Sequence, residues 1–294
     1  LKFPEWAAFA NPFNLQSSRK NMSLRIRSTR LTVPQIVSRK GKDKIVCLTA
    51  YSAPMAALLD AHVDLLLVGD SVGMVVHGLP STVGVTLEMM ILHGKAVIRG
   101  SERALVVIDM PFGSYERSPA QAYDSAVKIM QETGCQAVKV EACEGIADTV
   151  AFLVKRGIPV VGHVGIRPQA VHTDGGFKTK GHTIDERQQI LADARQVSDA
   201  GAFAIVVEGV VSELADEITR AVSIPTIGIG ASSECDGQIL VVDDMLGLFE
   251  WTPRFVRRYA SLHTLIDESV AAYAMDVRNA VFPNSSETYA ARKT

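Results

Sequence analysis

Short runs of branched apolar residues recur along the chain from Lys44 onward, six to eight residues long and with little polar alternation. They are KIVCLTAY (44–51), LLLVGDS (65–71), ALVVIDMP (104–111), AVKVEAC (137–143), PVVGHVG (159–165), AIVVEGV (204–210), IPTIGIGA (224–231) and ILVVDD (239–244). Runs of this kind are expected of strands buried on both faces. Between them lie helical patterns with legible ends. Ser118 and Pro119 read as N-cap and first residue of a helix through Thr133, stopped by Gly134. Thr183 with Glu186 reads as a capping box opening a helix to about Asp199, with Gly201 behind it. Residues 145–156 and 212–222 read as further helices, and Thr252-Pro253 is expected to open a last one reaching about Asn279. The stretch Ser71 to Leu87 is uncharged but interrupted by Gly73, Gly78, Pro80 and Gly84, and reads as a loop rather than a membrane span.

Eight buried strands alternating with helices predict a parallel α/β architecture, and eight is the number that closes a (β/α)8 TIM barrel. The rival, a doubly wound open sheet, usually carries a glycine-rich first turn. No G-x-G-x-x-G follows the first strand, and GIGAS at 228–232 comes late and lacks the third glycine. The expected organisation is one barrel over residues 31–282, with extra terminal helices, an N-terminal extension at 1–30 and a C-terminal tail at 283–294.

Composition narrows the function. With 47% apolar and 21% charged residues in 294, the chain can bury a sizeable core, which disfavours disorder. Thirty Lys and Arg against 32 Asp and Glu leave a net charge of −2, without the basic excess that nucleic acid or an anionic membrane demands. The four cysteines form no Cys-x-x-Cys and read as reduced thiols of a cytoplasmic protein. Residues 1–21 lack the charged start and apolar core of a secretory signal. The acid-free stretch 16–30 also suits an organelle transit segment, the alternative being a non-native leader or an upstream extension before Met22.

In a barrel of this type the active site lies at the C-terminal strand ends. Those ends carry Asp70 and Ser71, Asp109, Lys139 and Glu141, His163, Glu208, and Asp243 and Asp244. Charges in buried strands are costly unless paired or bound to a cation. Asp70, Asp109 and Glu141 come from adjacent strands, so their repulsion calls for a metal or for Lys139. Hard oxygen donors without a Cys or His cluster favour Mg²⁺ over Zn²⁺. A purely structural Asp–Lys–Glu network is the alternative, and Asp70 alone could cap a turn. Asp243 and Asp244 read as exposed loop or cap residues. Glu208, set among Val206, Val207, Gly209 and Val210, is a candidate general base if that apolar setting raises its pKa; otherwise it is a salt-bridged strand-end Glu. His163 reads as a pocket residue or a satisfied core histidine. Lys178 and Lys180, in GGFKTKG (175–181), could meet an anionic tail or simply be solvated.

These strand ends, with LTAYSAP, VGDSVGMVVHGLPST, VIDMPFGSY, GHVGIRPQ, GGFKTKG, VVEGV and IPTIGIGASSECDGQILVVDD, resemble the ketopantoate hydroxymethyltransferase family, collinear from about Lys44 to Tyr259. The resemblance implies a (β/α)8 barrel assembled as a homodecamer of two pentameric rings. It also implies transfer of a one-carbon unit from 5,10-methylenetetrahydrofolate to 3-methyl-2-oxobutanoate, giving 2-dehydropantoate in pantothenate synthesis. Carried over by position, Asp70 and Asp109 would bind Mg²⁺ and touch the substrate, with Glu141 completing the metal shell. Ser71 and Lys139 would hold the oxoacid carboxylate, and Glu208 would be the base that forms a metal-stabilised enolate. Ser52, Ala142-Cys143 and His182 depart from the family pattern and put loop and folate contacts in doubt rather than the chemistry. Two rivals are weighed beside this reading. One is a Mg²⁺-dependent oxoacid enzyme of the phosphoenolpyruvate mutase or lyase type; the other is a non-catalytic metabolite-binding barrel.

Overall fold

The computed structural model describes residues 30–290. The sheet is a closed, wholly parallel barrel in the order β1 to β8, which bears out the (β/α)8 expectation over the open-sheet rival. The strands are β1 (Ile45–Thr49), β2 (Leu65–Val68), β3 (Leu105–Asp109), β4 (Ala137–Lys139), β5 (Val160–Gly165), β6 (Ala204–Glu208), β7 (Thr226–Ile229) and β8 (Gly237–Leu240). The register of β1 on β8, with Cys47 opposite Ile239, closes the ring.

Closure splits the apolar residues into two cores according to strand parity. Cys47, Leu65, Leu67, Leu105, Val107, Ala137, Val161, Val206, Ile227 and Ile239 point inward and pack together. The alternate residues, among them Leu66, Val68, Val106, Ile108, Val138, Val160, Ile205 and Val207, pack outward against the helices. This two-sided burial explains why the strands read as continuous apolar runs. Helix α1 (Val33–Val37) places the buried Ile36 in the inward core, beside Ile45 and Phe203, and so plugs the N-terminal end of the barrel.

The outer layer comprises α2 (Ala53–Leu59), α3 (Val72–Val75), α4 (Leu87–Gly100), α5 (Pro119–Thr133), α6 (Ile146–Val154), α7 (Val171–Asp174), α8 (Ile184–Asp199), α9 (Ser212–Ala221), α10 (Val242–Met245) and α11 (Leu262–Arg278). Helix α5 has the expected ends: Ser118 Oγ accepts from Gln121 N, and Gly134 is left-handed at φ 79°. At α8, Thr183 Oγ1 accepts from Glu186 N, but the Glu186 carboxylate reaches past the N-cap to the amides of Gly181 and His182. The box is thereby half formed, its second half holding the end of the glycine-rich loop.

Three expectations need correction. Residues 71–87 contain α3 and a 3-10 turn at Thr82–Gly84, where one uninterrupted loop was expected. Asp243 and Asp244 belong to the first turn of α10, because β8 ends at Leu240 and Val242 N bonds to Thr49 Oγ1. The last helix starts at Leu262, not after Pro253; the segment between makes turns whose backbone is anchored by Tyr259 N donating to Met245 O. The N-terminal extension, apart from Arg30, and residues 291–294 of the tail lie outside the described residues. Among the described residues no helix is long and apolar enough to cross a membrane.

Candidate active site

The parity that sends Leu105 and Val107 inward sends Asp109 inward too, and the same holds for Lys139 and Glu141 after Ala137, His163 after Val161, and Glu208 after Val206. The inward positions change from apolar to ionisable at the C-terminal end of the barrel, which makes that mouth the reactive end. Asp70, Asp109, Lys139, Glu141 and His163 are all buried, each at most 5% exposed. Asp70 lies in the turn between β2 and α3.

Asp109 is the centre of the group. Its Oδ2 accepts the Asp70 backbone amide at 3.0 Å, and its Oδ1 lies 3.1 Å from Lys139 Nζ. Burial alone would lower the Lys139 pKa, yet Asp109, Glu141 and Asp70 together hold the ammonium above its ordinary value. Burial, then the neighbouring Asp109 and Glu141, raises the Asp70 carboxyl to about 8. Burial also raises Asp109, against the pull of Lys139. Ser71 Oγ shares a hydrogen bond of 2.7 Å with Tyr51 Oη at the edge of this cluster.

His163 joins the cluster to Glu208. Its Nε2 lies 3.2 Å from Glu208 Oε2, and its Nδ1 is 3.5 Å from Glu141 Oε1 and 3.4 Å from Lys139 Nζ. Burial and Lys139 oppose a charged imidazole, but Glu141 and Glu208 prevail and raise its pKa to about 9. The protonated ring therefore faces both carboxylates, and the Lys139 ammonium is directed to Asp109.

This corrects the expected environment of Glu208. The flanking Val206 belongs to the inward core and Val207 to the outer one, so the apolar neighbours in sequence do not enclose the carboxylate. Its side chain is 21% exposed at the mouth and is partnered by His163. His163 in turn combines the two roles weighed for it, a core histidine that belongs to the pocket. Lys180 is half-buried and paired with Asp174 at 3.2 Å, and its backbone pairs with Val210 just beyond Glu208. Lys178 is exposed.

Two residues of this site went unread in the sequence. Gln169, in the 3-10 turn Pro168–Ala170, donates Nε2 to Asp70 Oδ2 at 2.8 Å. Tyr115 Oη accepts the Glu141 amide at 3.2 Å and donates to Gln169 Oε1 at 2.6 Å. Both are neutral residues in loops, and the signal available was their membership of GHVGIRPQ and VIDMPFGSY.

The donor set fits a hard divalent cation. Four carboxyl groups (Asp70, Asp109, Glu141 and Glu208) face two basic side chains (Lys139 and His163), a shortfall of two positive charges when all are ionised. Glu141 Oε1 is buried without a hydrogen-bond partner, and Asp109 Oδ1 faces the Lys139 ammonium at 3.1 Å. Among the described residues no three His, Cys, Asp or Glu side chains are gathered so that they could together hold a metal ion. A cation here would therefore rest on one or two carboxylates with water or substrate in its other positions, as Mg²⁺ commonly does.

Comparisons with known proteins show the family. The model of the family described as ketopantoate hydroxymethyltransferase matches residues 30–285. The 3-methyl-2-oxobutanoate hydroxymethyltransferase of Phenylobacterium zucineum (strain HLK1) is 66% identical over 263 residues, covering 90% of this chain and 96% of its own. That of Hyphomonas neptunium (strain ATCC 15444) is 61% identical over 272 residues, covering 92% and 99%. Among solved structures, a 2,3-dimethylmalate lyase of the PEP mutase/isocitrate lyase superfamily superposes with a TM-score of 0.57 at 15% identity, covering 87% of each chain, a likeness of fold.

Proposed function

The chain belongs to the ketopantoate hydroxymethyltransferase family and is a hydroxymethyltransferase, and from that premise we propose that it transfers the one-carbon unit of 5,10-methylenetetrahydrofolate to 3-methyl-2-oxobutanoate, giving 2-dehydropantoate for pantothenate synthesis. The observation that carries the reading is the inward array of Asp70, Asp109, Lys139 and Glu141, joined through His163 to a fourth carboxylate, Glu208, at the open side of the mouth.

Asp70 and Asp109 would hold Mg²⁺, with Glu141 contacting it through water. Bound there, the cation supplies Lewis-acid polarisation of the oxoacid carbonyl, which acidifies the adjacent C–H. Lys139 and Ser71 orient the oxoacid carboxylate at the inner end of the site. Glu208, held by the His163 imidazolium and open to the mouth, accepts the proton from substrate C3. The resulting carbon nucleophile would form a C–C bond with the folate-derived methylene carbon. Both C–N bonds of that carbon break, and water supplies the hydroxyl oxygen of 2-dehydropantoate. The two folate nitrogens take up one proton from C3 and one from that water as tetrahydrofolate leaves. Lys180 and Lys178, in the loop beside Val210, would meet the anionic tail of the folate, Lys180 by giving up its pairing with Asp174.

Assembly as a homodecamer and a cytoplasmic location belong to the same reading. Supporting the first, α11 has no buried residue and exposes Leu265, Ile266, Val270, Tyr273 and Met275. Supporting the second, the four cysteines are free thiols.

The test is a coupled assay with 3-methyl-2-oxobutanoate, Mg²⁺ and 5,10-methylenetetrahydrofolate, run beside each omission. The expected product, 2-dehydropantoate, requires all three. Turnover of the oxoacid without folate would instead select the mutase or lyase chemistry, and binding without turnover would select a metabolite-binding barrel.

A further inference from the structure

Gln169, of which no role was expected, contacts two carboxylates of the cluster. It is 7% exposed, its Nε2 donates to Asp70 Oδ2 at 2.8 Å and to Met110 O at 2.9 Å, and its own backbone amide donates to Glu141 Oε2 at 3.2 Å. Its Oε1 accepts the Tyr115 hydroxyl proton at 2.6 Å, while that hydroxyl accepts the Glu141 amide at 3.2 Å.

The orientation of the carboxamide follows from donor and acceptor chemistry. Met110 O can only accept, so it requires the NH₂ end, which then also faces Asp70 Oδ2. The Tyr115 oxygen already accepts from Glu141, so its single proton goes to the amide oxygen. The loop carrying Gln169 is itself fixed, since Arg167 donates to Ala142 O at 2.9 Å and pairs with Asp174 at 3.3 Å. One residue on the β5 side thus takes one oxygen of Asp70, from β2, and one of Glu141, from β4. Glu141 Oε1 remains buried without a hydrogen-bond partner.

We propose that Gln169 is a positioning residue which, with its amide orientation set by Tyr115, selects the oxygens that Asp70 and Glu141 present to the divalent cation. The inference rests on the metal reading above. Its two donors engage one oxygen of each carboxylate, Asp70 Oδ2 and Glu141 Oε2, and leave the other for the cation.

The test measures Mn²⁺ binding to the substrate-free protein by electron paramagnetic resonance, with circular dichroism as the check on folding. Gln169→Glu keeps the size of the side chain but sets an acceptor against Asp70 Oδ2 and Met110 O. Metal affinity is expected to fall about 10–100-fold, the usual effect of losing an outer-shell partner. The Mg²⁺ concentration for half-maximal activity should rise by the same factor, with kcat largely recovered at saturating Mg²⁺. Tyr115→Phe, which frees the amide to turn over, should weaken Mn²⁺ binding by a smaller factor, and it carries the test if Gln169→Glu does not fold. Wild-type Mn²⁺ affinity in the folded variants would overturn the role of Gln169 while leaving the metal reading intact. No Mn²⁺ binding by the wild-type protein would overturn both.

Discussion

His163 Nε2 stands 3.2 Å from Glu208 Oε2, with the opposite edge of the same ring facing Glu141. The imidazole is therefore the one side chain linking the group proposed to move a proton with the group proposed to serve the cation. Glu208→Gln should abolish exchange of deuterium at C3 of the oxoacid, a loss of about 10²–10⁴-fold as for removal of a general base, with oxoacid binding retained. His163→Gln should slow exchange less, because it misplaces the carboxylate without removing it. Proton NMR of the oxoacid in D₂O reads both, and exchange at the wild-type rate in Glu208→Gln would reject that base.

Asp70, a proposed metal ligand, is held at a cost to the fold. Its pKa rises from the ordinary value near 4 to about 8 through burial and the adjacent Asp109 and Glu141. The folded chain then binds a proton that the unfolded chain releases, so metal-free stability falls as pH rises from about 4 to about 8. In EDTA, Asp70→Asn should be more stable than wild type at pH 8, and the gap should close near pH 4. Mg²⁺ should stabilise wild type at pH 8 and not the variant. Urea unfolding at the two pH values measures this.

At the N-terminal end of the barrel the electrostatics run the other way. Asp236 accepts from Lys40 Nζ at 2.9 Å, Gly41 N at 2.8 Å and Thr226 N at 2.8 Å. Burial opposes ionisation, but these donors outweigh it and hold the carboxyl below its ordinary value. Its contribution is therefore present above about pH 4 and is lost as the pH falls through the lower folded value. Asp236→Asn should cost about 2–3 kcal/mol near neutral pH, a difference that shrinks in acid unfolding, with activity per folded molecule unchanged.

Gly165 sets the backbone beside the proposed base. Its φ is 98°, and a Cβ there would collide with the carbonyl oxygen of Glu208, which accepts the Ile166 amide at 2.8 Å. Gly165→Ala should cost about 1–3 kcal/mol of backbone strain and reduce kcat by shifting Glu208. Gly41→Ala, also left-handed but with open space around it, should cost less and leave kcat alone. Urea unfolding and kcat, measured on both variants, separate the two effects.

The strand runs, the α5 caps and the strand-end position of Asp109, Lys139, Glu141 and His163 were legible because apolar runs and capping are local. Which face each of these residues takes was not read in the sequence, because strands buried on both faces show no alternation of apolar and polar positions. The environment of Glu208 was not legible either. Sequence neighbours in a strand point to opposite faces, so Val207 says nothing about what surrounds residue 208. Gln169 and Tyr115 were invisible for a related reason, as neutral loop residues acquire their roles only when loops after β3 and β5 meet.

The apolar runs limited the chain to a parallel α/β fold, and eight runs favoured closure into a barrel. Hydrophobic periodicity is written along the chain and needs no distant contact to be read. Which oxygens face the centre, which cation neutralises which carboxylate, and the histidine between Glu141 and Glu208 were decided by the closed barrel. Electrostatic energy depends on distances of about 3–4 Å between charges, and only the circular register of the eight strands brings residues 70, 109, 141, 169 and 208 within that range of a shared set of partners.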